Sequence, residues 1–153
     1  MKNYLSALLL CGLVSPAGYA NDQSPLALSE AWVRALPPGQ PNTAAYVTVT
    51  NNGSDTVTLM GGTADIAETV EIHTTREVDG MQRMEQLTAV EVAPGESVVF
   101  APGGMHLMLL GLERMPAPSE QVTLCLSLAG GAQACTEAPV RKSAGGGHTH
   151  GHH

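Results

Sequence analysis

Two histidines and two methionines have side chains whose types and spacing in this sequence indicate metal binding. Ten residues separate His73 from Met84, twenty-one separate Met84 from His106, and one separates His106 from Met108. Imidazole nitrogen and thioether sulfur form a soft, uncharged ligand set that suits Cu(I) better than zinc, calcium or magnesium. We therefore predict that these four residues meet in space and hold Cu(I).

β-Strands would have to position these ligands. His106 and Met108 alternate within an apolar run, so in a strand they project from one face, about 6.6 Å apart along the backbone. Asp79-Gly80 is a turn signal that lies between His73 and Met84. A hairpin at this turn would pair the strand of Met84 with that of His73 and bring both ligands to the strand of His106.

Most methionines in a β-sandwich are core residues and not metal ligands, and this alternative applies to the other methionines of the chain. Methionine in a β-sandwich usually fills space in the core, and we expect that role for Met60, Met105 and Met115. Met81 is the nearest alternative ligand, and we expect it to lie on the same strand face as Met84. A single histidine near a turn is more often a surface residue than a ligand. The joint occurrence of His-x-Met on one strand and a second His and Met across a hairpin favours a metal site.

Short β-rich runs divided by Gly, Pro, Asn and Asp fill the chain from residue 21 to residue 141, without a convincing amphipathic helix. The turn at residues 51–54 predicts a hairpin that leads into the third strand. Eight to ten such strands predict an all-β protein, an antiparallel β-sandwich with Greek-key connections. The predicted strands are 27–34, 44–50, 56–60, 70–74, 81–87, 90–92, 97–100, 106–110 and the two strands of a closing hairpin around Gly130.

The closing hairpin contains Cys125 and Cys135. If it is centred on Gly130, the two cysteines lie directly opposite each other on its more polar face, where a cross-strand disulfide is feasible. An oxidising compartment would permit that bond. We predict a structural role for it, because the compact C-x-x-C arrangement of redox proteins is absent.

Residues 1–20 have the layout of a secretory signal peptide, with Lys2, an apolar run at 5–14 and small residues before the predicted cleavage point. The run is too short to span a bilayer. Cys11 lies within it, but Leu10 is bulky where lipoprotein processing normally requires a small residue. We therefore expect an exported, soluble protein without membrane insertion after signal cleavage.

Residues 142–153 form a tail of a different kind, in which a glycine run is followed by four histidines. Such a segment does not pack and should be flexible. Expression tags are usually unbroken histidine runs, so the interrupted pattern favours a native metal-binding tail. Imidazole nitrogens bind Cu(II) readily, and we predict a second copper site here. Its ligands are His148, His150, His152 and His153.

Charge and motif content exclude several classes of function. The net charge of −7 becomes about −8 when the signal peptide, with its single Lys2, is removed, so nucleic acid and anionic membranes are poor partners. No Ser/His/Asp arrangement, paired carboxylates or phosphate-binding glycine loop is present, and we expect no enzyme activity. Blue-copper electron transfer needs a Cys ligand with a His a few residues downstream, whereas the next His after Cys135 is His148.

The spacing of His73, Met84, His106 and Met108 resembles the signature of the periplasmic PCuAC copper-chaperone family. The resemblance extends through Ala31-Trp32-Val33-Arg34, Asp79-Gly80 with Arg83-Met84, and Pro102-Gly103-Gly104 with the strand that follows, and it covers nearly all of residues 27–141. It implies a cupredoxin-like β-sandwich, residues 21–141, that binds Cu(I) through these four ligands at an exposed site. It also implies copper delivery in the periplasm to the copper-A centre of a haem-copper oxidase.

Two other functions remain open at this stage. The same site could serve periplasmic copper buffering or resistance, or supply another periplasmic copper protein. A purely structural β-sandwich would not bind Cu(I) at all.

Overall fold

The computed structural model describes residues 24–142, and this range contains ten β-strands and no helix, hence none that could cross a membrane. The predicted signal peptide and the four tail histidines lie outside the described residues. The strands are β1 Leu26–Arg34, β2 Thr43–Asn51, β3 Val57–Ala64, β4 Thr69–Val78, β5 Met81–Leu87, β6 Val90–Val92, β7 Ser97–Phe100, β8 His106–Leu110, β9 Gln121–Leu128 and β10 Gln133–Arg141.

Seven of the strands form a closed ring in the order β4-β8-β2-β1-β10-β9-β3, which the pairing of Gly62 in β3 with Val70 in β4 completes. β5 extends the ring from β4, β6 pairs with β3, and β7 pairs with β2. All pairings are antiparallel except that of β1 with β10, which is parallel. The predicted all-β sandwich is confirmed, with this one parallel pair as an addition.

Alternation along the strands separates a buried face from an outer face. Leu107 and Leu109 of β8 are fully buried and belong to the same core as Ile72 of β4 and Val47 of β2. His106 and Met108, which alternate with these leucines, consequently occupy the outer face of β8. The core therefore fixes the faces of the strands that carry the predicted ligands.

Residues 51–54 do not form the predicted hairpin, because β2 pairs with β1, β7 and β8, whereas β3 pairs with β4, β6 and β9. The Asn51 side chain is fully buried, and its amide donates to the carbonyl oxygens of Asp55 at 2.8 Å and Val92 at 2.9 Å. The Gly53 backbone N–H donates to its side-chain oxygen. These bonds hold a connection that passes from one set of strands to another instead of reversing beside β2.

β3 and β4 both extend beyond their predicted ends. Gly61 and Gly62 lie within β3, beside a register shift, where a Cβ on Gly62 would overlap the carbonyl oxygen of Cys125. Glycine in a strand often marks such a close backbone approach rather than a turn. Met60 lies at the same irregularity and is half exposed, so the prediction that it fills the core is wrong. Met105, in contrast, packs against the core as predicted.

The closing hairpin follows its predicted register. Cys125 lies directly opposite Cys135 in the β9–β10 pair, and the two are joined by a disulfide. The predicted cross-strand bridge is confirmed. In the ring, β9 and β10 lie on the side away from β8.

Candidate metal site

The β4–β5 hairpin carries two of the predicted ligands. Its turn consists of Asp79 and Gly80, both with positive φ angles (53° and 74°), as the tight hairpin turn requires. Met84 lies directly opposite Thr75, which is two residues after His73 on β4. Because residues two apart on a strand point to the same face, His73 and Met84 share a face of the sheet. The predicted hairpin is present, and it places Met84 on the outer face of the sheet.

The β4–β8 pair carries the other ligands. His73 lies directly opposite His106, and Glu71 lies directly opposite Met108. The centroids of the two imidazole rings are 6.0 Å apart, with 39° between their planes. With metal–nitrogen bonds of about 2.0 Å, two imidazoles that share one ion have centroids roughly 5–6.5 Å apart. The observed spacing fits a shared ion.

A pocket of about 250 Å³ opens on this face. Met84, His106 and Met108 line it, together with Thr75 and residues of β1 and β2. His73 is not among the lining residues, but it lies beside the pocket through its pairing with His106. The structure therefore brings three of the predicted ligands into one pocket and places the fourth next to it.

The predicted ligands differ strongly in their exposure to solvent. His106 is 6% exposed, the side chain of His73 is 17% exposed, and Met84 is 55% exposed. Met84 lies on β5, which pairs with β4 alone among the ten described strands. The site is consequently held firmly on its β8 side and is open to solvent on its β5 side.

The expectation that Met81 lies on the same strand face as Met84 is wrong. It pairs with Val78 and lies three residues before Met84, so it projects from the opposite face of β5. It is 57% exposed and does not line the pocket. Of the two methionines of this strand, only Met84 lines the pocket.

Hydrogen bonds orient both imidazole rings. Nδ1 of His106 lies 3.0 Å from the carbonyl oxygen of Gly104, to which it donates. Nε2 of His73 lies 2.8 Å from Oε2 of Glu71. Nδ1 of His73 is buried and has no hydrogen-bond partner among residues 24–142. Sequence reasoning missed Glu71, although its position two residues before His73 on one strand is the signal that places both on one face.

An aromatic and cationic wall flanks the pocket on β1 and β2. The rings of Trp32 and Tyr46 have centroids 4.5 Å apart, and the guanidinium carbon of Arg34 lies 5.2 Å from the Tyr46 ring centroid. Burial raises the pKa of Tyr46, and the charge of Arg34 opposes that effect. Arg34 and Tyr46 both line the pocket. Neither residue was predicted to belong to the site, although alternation along each strand puts both on its face.

Comparison with known proteins identifies the family. The family described as "Putative lipoprotein LpqE-like" matches residues 26–140. The chain belongs to the LpqE-like family. A relative from Leifsonia xyli subsp. xyli (strain CTCB07), described as "Putative lipoprotein Lxx21020", is 30% identical over 148 residues, which cover 91% of this chain and 88% of the relative.

Solved structures of PCuAC domains share the fold. The apo PCuAC domain from PmoF1 has a TM-score of 0.64 at 20% identity, over 78% of this chain and 96% of that domain. The copper-bound PCuAC domain from PmoF2 has a TM-score of 0.62 at 20% identity, over 76% and 92%. The solution structure of CuI-DR1885 from Deinococcus radiodurans has a TM-score of 0.58 at 28% identity, over 82% of each chain. The resemblance to the PCuAC family and the expected fold are confirmed.

Proposed function

We propose that this protein is a copper chaperone that binds Cu(I) through His73, Met84, His106 and Met108. The observation that carries the proposal is the pocket lined by Met84, His106 and Met108, beside which His73 pairs directly with His106. Two imidazoles and two thioethers match the ligand preference of Cu(I). The likeness to a structure described as CuI-DR1885 supports the same oxidation state.

The site is suited to carrying copper rather than retaining it. A ligand set without a thiolate binds Cu(I) less strongly than a thiolate-rich acceptor does, so transfer to such an acceptor is downhill. Met84 is exposed on β5, which permits ligands to exchange one at a time. We therefore propose a carrier, not an enzyme, whose acceptor is the copper-A centre of a haem-copper oxidase.

Copper buffering or resistance in the same compartment is the second candidate, because it would use the same site without a dedicated acceptor. Oxidase activity in a deletion strain, with and without added copper, discriminates between the two. A chaperone predicts loss of oxidase activity at low copper and recovery on copper addition. Unimpaired oxidase with heightened copper sensitivity favours buffering or resistance.

A Cu(I) titration tests the site directly. The protein lacking residues 1–20 is titrated in competition with a chromophoric Cu(I) chelator, beside the His106→Ala variant. Because loss of an outer-shell group already costs about 10–100-fold in metal affinity, we expect His106→Ala to weaken binding by at least about tenfold. Unchanged affinity in a folded variant would defeat the assignment, and no Cu(I) binding by the wild type would leave only a structural role.

The histidine tail is proposed to bind Cu(II) separately. Deletion of residues 145–153 should weaken Cu(II) binding and leave Cu(I) affinity nearly intact, because the Cu(I) ligands all lie on β4, β5 and β8. Electron paramagnetic resonance of Cu(II) and the chelator competition for Cu(I) measure the two separately. Loss of both activities on deletion would contradict the two-site proposal.

We further propose that the protein is exported to the periplasm and released there. The lipoprotein names of its relatives support export and raise lipid attachment at Cys11 as the alternative. Fractionation of cells that express the full chain or its Cys11→Ser variant separates the two. Soluble periplasmic protein in both cases supports release, whereas a membrane-bound form that Cys11→Ser abolishes would establish an anchor.

A further inference from the structure

Glu71 and His73 occupy successive outer-face positions on β4, with Oε2 of the carboxylate 2.8 Å from Nε2 of the imidazole. An ionised carboxylate can only accept a hydrogen bond, so Nε2 must carry the proton. In a neutral imidazole the lone pair then lies on Nδ1. The contact with Glu71 thus selects one tautomer of His73.

The nitrogen that keeps the lone pair has an unusual environment. Nδ1 of His73 is buried and has no hydrogen-bond partner in the described part of the chain. Buried side-chain polar atoms without partners are rare, and one accepted explanation is a ligand position for an ion. The 6.0 Å separation of the His73 and His106 rings fits such an ion.

His106 has the opposite arrangement. Its Nδ1 donates to the carbonyl oxygen of Gly104 at 3.0 Å, so its Nε2 carries the lone pair. His106 also lines the pocket. The two histidines therefore offer different nitrogens with a lone pair for a metal, Nδ1 in His73 and Nε2 in His106. The tautomer is set by Glu71 in His73 and by the Gly104 carbonyl oxygen in His106.

We propose that Glu71 is a positioning residue that fixes His73 as the Nε2–H tautomer, so that copper binds His73 through Nδ1 and His106 through Nε2. This inference rests on the proposed Cu(I) site. A carboxylate that accepts from the second nitrogen of a metal-bound histidine fixes its orientation and raises its basicity. Glu71 also supplies a negative charge opposite Met108, where four neutral ligands would leave the charge of Cu(I) uncompensated.

Nuclear magnetic resonance of ¹⁵N-histidine in the metal-free protein tests the first half of the proposal. The expected result is an Nε2–H ring for His73 and an Nδ1–H ring for His106. On addition of Cu(I), the resonances of Nδ1 of His73 and Nε2 of His106 should shift most. A metal-induced shift centred on Nε2 of His73 would overturn the proposal.

Two variants of Glu71 test the second half. Glu71→Ala removes the acceptor, and we expect mixed tautomers of His73 and Cu(I) affinity lower by about 10–100-fold. Glu71→Gln keeps an acceptor oxygen but no charge, so the tautomer should be retained and the affinity should fall between wild type and Glu71→Ala. Glu137→Ala is the matched control, because this carboxylate accepts from Thr123 on the β9–β10 hairpin, away from β8. Its affinity should equal that of wild type.

The outcomes separate this inference from the proposed function. Wild type that binds Cu(I) while folded Glu71→Ala binds it equally well would overturn only the role of Glu71. Wild type that fails to bind Cu(I) would overturn both. If Glu71→Ala does not fold, the tautomers of the wild type and the affinity of Glu71→Gln decide the question.

Discussion

Met81 and Met84 form an internal comparison on one strand. Both lie on β5 and both are slightly more than half exposed. They project from opposite faces, and of the two only Met84 lines the pocket. We predict that Met84→Ala weakens Cu(I) binding and that Met81→Ala does not. The two substitutions remove the same atoms from neighbouring positions, so they differ only in the face of the strand that they alter.

The expected sizes follow from exposure and from ligand number. Full burial of a Met side chain contributes about 1.5–3 kcal/mol, so truncation of either half-exposed residue should cost on the order of 1 kcal/mol of folding free energy. Met84→Ala also removes one of four proposed soft donors. A tenfold loss of affinity corresponds to about 1.4 kcal/mol, and we expect at least that loss for Met84→Ala.

Competition with a chromophoric Cu(I) chelator gives the affinities, and urea unfolding of the metal-free variants gives their stabilities. The expected pattern is equal stability with unequal affinity. Equal Cu(I) affinity in the two variants would refute the assignment of Met84. Weaker binding by Met81→Ala alone would show that the face of β5 used for copper is the opposite one.

Three further predictions concern the core, the disulfide and the pocket wall. Leu107→Ala should lower the free energy of unfolding by about 2–5 kcal/mol in urea titrations, because Leu107 is fully buried; a loss below about 1 kcal/mol would contradict its place in the core. Replacement of both Cys125 and Cys135 by Ser should cost about 2–4 kcal/mol of stability, measured in the same way, with Cu(I) affinity unchanged. Tyr46 is the only tyrosine after residue 20, and ultraviolet titration of its phenol should give a midpoint above the ordinary pKa of about 10, since burial raises its pKa. The folded state holds this proton more tightly than the unfolded state, so the contribution of Tyr46 to stability is complete below the ordinary pKa and is lost as the pH rises through the folded-state value. A midpoint at or below the ordinary pKa would contradict the burial argument.

Local patterns in the sequence determined much of what positions the site. β5 and β8 have the predicted bounds, and the Asp79-Gly80 turn brings Met84 back beside β4. Alternation predicted the shared face of His106 and Met108, because Leu107 between them must be buried. These features depend on neighbouring residues, which a sequence displays directly.

Features that depend on distant residues were not predictable in this way. The buried amide of Asn51 donates to the carbonyl oxygen of Val92, which is far along the chain. The segment that looked like a hairpin turn therefore connects one set of strands to another. Gly62 lies in β3 because its backbone approaches Cys125, and no local pattern reveals that approach. Tyr46 lines the pocket because β2 pairs with β8, and local sequence does not show which strands pair.

The disulfide on the far side of the ring affects which sulfur atoms are available to copper. Thiolates are softer and stronger Cu(I) ligands than thioethers. While Cys125 and Cys135 are bonded to each other, neither sulfur can compete with Met84 or Met108 for the ion. Reduction would create a dithiol that competes for Cu(I) with the proposed ligands on β4, β5 and β8. Under the proposed function, release of copper would therefore depend on the redox state of the surroundings, through two residues that belong to a different hairpin.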